Sequence, residues 1–132
     1  MKTYGEFIDA MEKVAEDWRF VEGQTFLERW KKLATEEQWK KYRPMKLRKE
    51  EVIAFAQDMA GYYREVIGGT CVEELYYGRI DQGHAFLAEI HKKALESGIE
   101  VRLEEIDQPL TALETMGSLG FVKRMKKYGR FS

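Results

Sequence analysis

Apolar residues recur along this chain at intervals of three and four. Phe7, Ile8, Met11, Val14, Ala15 and Trp18 form one such stripe, and Phe26, Leu27, Trp30, Leu33 and Ala34 form a second. That spacing places side chains on one face of an α-helix, so both stretches are read as amphipathic helices. A third stretch, 49–67, carries Val52, Ile53, Ala56, Met59, Ala60, Tyr63, Val66 and Ile67 and meets Gly68-Gly69, a helix stop. A short helix is expected from Thr70 to about Gly78. Asp81 can then cap a further helix over 82–96 with Phe86, Leu87, Ile90, Ala94 and Leu95 on its inner side, closed by Ser97-Gly98. Beyond it the period changes: Ile99, Val101 and Leu103 alternate with Glu100, Arg102 and Glu104, as in a half-exposed strand. Ile99, Leu103, Ile106 and Leu110 also share a helical face, and a lone strand lacks a partner, so both readings stand. A basic helix over 121–128 ends the pattern.

Threonine placement sharpens these boundaries. Of six threonines, five are followed three residues later by Glu or Gln: Thr3/Glu6, Thr25/Glu28, Thr35/Gln38, Thr70/Glu73 and Thr111/Glu114. Chance would give about one such pair, and the spacing matches the capping box, in which each side chain satisfies the other residue's free backbone N–H. Five helix starts are therefore expected. The helix after Thr35 carries Trp39 and must end near Tyr42, because Arg43 precedes Pro44 and a residue before proline avoids the helical conformation. The fold expected is a single all-α domain over residues 1–132, a bundle of five to seven helices, with one short strand near residues 99–104 as the open alternative.

Composition narrows the setting. A chain of 132 residues, 44% hydrophobic and 34% charged, supports one core and is not disordered in character. No apolar stretch approaches the roughly 20 residues of a membrane span, and Glu6 falls where a signal peptide would turn apolar. Cys71 is the only cysteine, which excludes an intrachain disulfide and a cysteine-rich zinc site within one chain. A cytoplasmic protein with no membrane partner is expected.

The net charge of −1 hides a segregation. Residues 1–39 sum to −3, residues 40–49 to +6, residues 50–122 to −9 and residues 123–132 to +5. The first basic block contains Lys40, Lys41, Tyr42, Arg43, Lys46, Arg48 and Lys49. Like charges at that density repel, a cost borne by a solvated loop or offset by a polyanion or an acidic protein surface, and Tyr42 adds a stacking face. The second block contains Lys123, Arg124, Lys126, Lys127 and Arg130, which share one broad helix face; the same cations would also favour the C-terminal end of their own helix dipole. Gly117-Ser118-Leu119-Gly120 precedes it, a glycine-rich helix start able to offer backbone N–H groups to a phosphate.

Other candidates carry plainer readings. Cys71 near a helix start is opposed by Glu73 and Glu74, which disfavour its thiolate. His84 and His91 lie about 10.5 Å apart along a helix, too far to share an ion, and Asp81 with His84 is explained by capping. No P-loop, dinucleotide fingerprint, zinc-protease signature or nucleophile elbow occurs, so no cofactor, metal or catalytic residue is expected. Aromatic residues make up 13% of the chain, including Trp18, Trp30, Trp39, Tyr62, Tyr63, Tyr76 and Tyr77, more than one helical core hides, which points to an aromatic patch for a partner. Compact, charge-segregated, motif-free chains of this kind resemble in composition the accessory and anti-defence proteins of phages and mobile elements. The functional expectation is a non-enzymatic docking protein, an inhibitor or adaptor whose partner is another protein. A nucleic-acid binder using both basic blocks, a binder of a phosphorylated ligand between Gly117 and Lys123, and a homodimer are the alternatives.

Overall fold

Thr3 opens the first helix as its pattern requires: its hydroxyl oxygen accepts the Glu6 N–H at 3.2 Å and its hydroxyl donates to Glu6 Oε1 at 3.0 Å. In the computed structural model, which describes residues 3–18, 20–70 and 72–106, five helices follow in chain order. They are α1 (Tyr4–Asp17), α2 (Val21–Lys32), α3 (Glu36–Tyr42), α4 (Lys49–Gly68) and α5 (Glu73–Glu96). The long α5 packs on both α4 and α1, while α2 closes over α1 and α4. The described chain is all-α, as the apolar spacing predicts.

Thr35 also caps as expected. Gln38 N–H donates to Thr35 Oγ1 at 3.1 Å, and Thr35 N–H donates to Gln38 Oε1 at 3.0 Å, so both halves of the capping box close. Two of the expected starts fail. α2 begins at Val21, and Thr25 sits inside it with its hydroxyl donating back to Val21 O at 3.1 Å. The cause is the tight α1–α2 corner: Phe20 N–H and Gln24 Nε2 both donate to Ala15 O, at 2.9 and 3.0 Å, and Phe20 is buried edge-on against Phe86. Thr70 is likewise no N-cap. It is buried, donates to Val66 O at 2.8 Å at the end of α4, and accepts from Arg79 Nη1 at 2.5 Å, while α5 starts beyond it. The fifth start, Thr111, lies outside the described residues.

The expected break near Gly78 is also absent: α5 runs unbroken through Gly78 and Asp81. Glycine in a helix interior costs about 1 kcal/mol relative to alanine. Tyr76 and Ile80 are buried on either side of it, and each fully buried large side chain is worth roughly 1.5–3 kcal/mol, so packing wins. Tyr76, Ile80, Leu87, Ile90 and Ala94 form one uninterrupted buried stripe along α5.

Phe55 of α4 is the hub of the aromatic core, with Phe7, Phe26 and Trp30 rings 5.6, 5.6 and 5.7 Å away. The stripes fray where helices end. Trp18, the C-cap of α1, is 65% exposed, and Leu33, the C-cap of α2, is 85% exposed. Leu95 points outward beside the buried Ala94.

After α5 the chain turns at Gly98, whose φ of +79° lies in the left-handed region that glycine occupies without strain. No strand exists among the described residues, which settles the ambiguity near 99–104. Residues 99–102 form no regular element and residues 103–106 form a single helical turn. Lacking a neighbouring strand, Arg102 N–H is satisfied instead by Glu105 Oε2 at 2.8 Å, and Val101 O lies 2.7 Å from His91 Nε2. That N–H, and then Lys49, hold the Glu105 carboxylate below its ordinary pKa. No helix among the described residues is long and apolar enough to cross a membrane.

Candidate functional site

The first basic block lies where the start of α1, the end of α2, all of α3 and the start of α4 converge. Residues 43–48 link α3 to α4, and their backbone clasps the first turn of α1: Tyr4 N–H donates to Met45 O at 2.9 Å and Gly5 N–H to Arg43 O at 3.0 Å. These bonds satisfy two of the four N–H groups that every helix start leaves free. They also demand close approach, since a Cβ on Gly5 would lie 3.0 Å from Arg43 O. The sequence therefore places this connector directly beside Tyr4.

Tyr4, Trp30 and Trp39 meet there as three mutually contacting rings. Their centroids are 5.8 Å apart for Tyr4 and Trp30, 6.2 Å for Tyr4 and Trp39, and 5.5 Å for Trp30 and Trp39, the last pair nearly perpendicular at 85°. With Tyr42, Met45, Ala34, Lys46, Arg48 and Glu51 they line an open pocket of about 300 Å³. Its floor is aromatic and its rim is charged. Burial first, and then the carboxylates of Glu51 and Asp58, push the Tyr4 phenol well above its ordinary value, so it stays protonated.

The six cations of the block divide into two sets. Arg43 donates to Asp9 Oδ2 at 2.7 Å and lies 5.5 Å from the Trp39 ring centre, Arg48 pairs with Glu51 at 2.6 Å, and Lys49 pairs with Glu105 at 3.1 Å. Their hydrogen bonds to Asp9 and Glu51 raise the Arg43 and Arg48 pKa values further, fixing both as cations. Lys40, Lys41 and Lys46 are exposed and have no carboxylate partner among the described residues. Lys41 reaches to 5.9 Å from the ring centre of Tyr42, which is itself 45% exposed. Of the local charge of +6, half is answered by acids drawn from α1, α4 and the turn after α5.

The chain matches no family model, no curated protein and no solved structure.

Other concavities are less distinctive. A cleft of about 170 Å³ between α1 and α2 is lined by Glu12, Glu16, Glu28 and Lys31, with room for a few waters. A broad depression of about 620 Å³ lies on the other side of Lys46, between Pro44, Leu47 and Ile99. No group of three His, Cys, Asp or Glu residues suited to a metal ion occurs among the described residues.

Tyr42, Lys46 and Arg48 are thus brought to one pocket; Lys41 and Arg43 lie against Tyr42 and Trp39, which line it, and Lys40 is exposed on the same helix, α3. Cys71, Gly117, Gly120, Lys123, Arg124, Lys126, Lys127 and Arg130 lie outside the described residues. The sequence pattern places Trp30 on an apolar helix face and Trp39 on the helix after Thr35, both within an aromatic surplus, and does not single out Tyr4, Met45 or Glu51. A local signal existed: Trp30 and Trp39 flank the turn ending at the Thr35 cap, and a tight turn between two helices brings such neighbours face to face. A polar cluster was missed entirely. Glu22 accepts from Tyr62 Oη at 3.0 Å and faces Arg79 Nη2 at 3.5 Å, and Arg79 in turn reaches Thr70, tying α2, α4 and α5 together.

Proposed function

We propose that this chain is a non-enzymatic docking protein that binds an acidic face of another protein through α3 and the 43–48 connector. The observation that carries the reading is a set of lysines with no acid partner among the described residues: Lys46, which lines the aromatic pocket, Lys41, which lies over the pocket residue Tyr42, and Lys40 on the same helix. Exposed, unanswered charges contribute little to folding but steer association with an oppositely charged surface. Aromatic side chains beside them supply the large desolvated contacts on which binding energy concentrates. The groups lining the pocket are a protonated phenol, two indoles, a thioether, a free lysine and an internally paired guanidinium, a set suited to stacking, burial and ion pairing.

Nucleic acid is the second reading, favoured by exposed Tyr42 next to Lys41, a stacking ring beside a phosphate-seeking cation. The internal pairing of Arg43, Arg48 and Lys49 weighs against it, because binding along a phosphate backbone draws on many unpaired cations. The test compares the parent with Lys40→Glu/Lys41→Glu/Lys46→Glu as bait in a host lysate, with and without nuclease, followed by binding kinetics on the captured partner. A nuclease-resistant protein that associates at least tenfold more weakly with the variant supports the reading. Retention that disappears with nuclease, or equal binding of both baits, overturns it.

A further inference from the structure

We infer that the Tyr4–Trp30–Trp39 pocket is an anchor site for one large apolar side chain, aromatic or aliphatic, carried on a partner segment whose flanking residues are acidic. The inference rests on the docking reading above and names the chemistry of its partner. About 300 Å³ is at the small end of ligand pockets, enough for a single Phe, Leu or Trp side chain and too little for a folded element. The floor is set from below, since Trp30 rests edge-on against Phe55 of the core, so the pocket keeps its shape without an occupant. Pre-formed shape lowers the ordering cost of binding.

Charge complementarity selects the flanks. A cationic side chain would suit three aromatic rings in isolation, but here Lys46 and Arg48 stand at the rim and Arg43 already occupies a position over Trp39. Glu51, the acid that lines the pocket, is spent on Arg48 at 2.6 Å. An incoming cation would meet net positive charge. Carboxylates on either side of an apolar anchor would meet Lys46 and, along α3, Lys40 and Lys41. Met45 is 45% exposed at the mouth, a flexible thioether that adapts to anchors of different shape.

The experiment uses fluorescence anisotropy with short labelled peptide pools. Each has a central Phe, Leu, Trp, Ala or Lys, set in flanks of Asp, Glu, Ser and Gly or, in a second series, of Lys, Arg, Ser and Gly. The acidic pools with Phe, Leu or Trp are expected to bind at least tenfold more tightly than the acidic Ala pool and than every basic pool. Met45→Glu, a change at an exposed side chain, is expected to abolish the preference for Phe over Ala, with an unchanged melting temperature as the check on folding. Lys46→Glu is expected to weaken all acidic pools while keeping that preference. Equal binding of the acidic Phe and Ala pools, no binding by any acidic pool, preferred binding of the Lys-centred pools, or tighter binding of labelled oligothymidine would each overturn the inference. Failure here is distinguishable from failure of the docking reading. If the captured partner discriminates against the triple lysine reversal but not against Met45→Glu, the charged face stands and the anchor pocket does not.

Discussion

The Thr35 hydroxyl satisfies an N–H that nothing else at the start of α3 reaches, and its own N–H is satisfied by Gln38. Thr35→Ala should therefore cost about 0.5–2 kcal/mol, read as a lower urea midpoint at constant slope. Thr25→Ala should cost less than Thr35→Ala, because its hydroxyl donates to a carbonyl that the helix already uses and frees no backbone N–H when removed. Tyrosine supplies a second residue-scale prediction. Burial, as the largest cause, raises the pKa of Tyr4 and Tyr63 far above the ordinary phenol value, with Glu51 adding at Tyr4 and Glu22 at Tyr63. Folded chains keep those protons where unfolded chains lose them. The stabilisation is complete below the ordinary tyrosine pKa of about 10 and is lost as the pH climbs above it toward the raised folded values. Urea midpoints should thus fall steeply above pH ~10, and Tyr63→Phe should make that fall shallower.

At the level of helices, two glycines should respond in opposite directions to alanine. A Cβ at Gly78 meets nothing within 4 Å, so Gly78→Ala should add about 0.5–1 kcal/mol and raise the melting temperature. A Cβ at Gly23 of α2 would stand 2.9 Å from the Phe86 ring of α5, so Gly23→Ala should destabilise by about 1–3 kcal/mol. The same pair shows what the sequence could and could not reveal about the fold. Helices α1, α3 and α4 were legible because their stripes and stops agree with one another at every level. The unity of α5 was not: Gly78 and Asp81 are local helix-breaking signals, and they are overruled by the burial of Tyr76 and Ile80 in the core, a tertiary effect no local pattern encodes. Thr25 and Thr70 misled for the same reason, since a capping pattern is only a possibility until the neighbouring helix decides where the turn falls. For the pocket, the cations and the surplus of aromatic rings were legible. Their meeting was not, because Tyr4 reaches Trp30 and Trp39 only through the backbone clasp of residues 3–5 on 43–46.

For the whole molecule, the division of the basic block into paired and unpaired cations predicts a separation of stability from association. The triple reversal of Lys40, Lys41 and Lys46 should leave the melting temperature nearly unchanged, whereas Arg43→Glu, which sets a carboxylate against Asp9 and removes a cation from Trp39, should lower stability by about 1 kcal/mol. Differential scanning fluorimetry of the two variants checks the contrast, and equal losses would mean that the three lysines have structural partners. The perpendicular packing of Trp30 against Trp39 at 5.5 Å has an optical consequence. Two indoles that close couple their transition dipoles in a fixed chiral arrangement, so the native protein should carry an exciton contribution to its circular dichroism that Trp39→Phe removes while the helical signal stays. Anything that wedges into the pocket and turns either ring would change that contribution, so the unlabelled protein holds a chromophore pair positioned to report on its own occupancy.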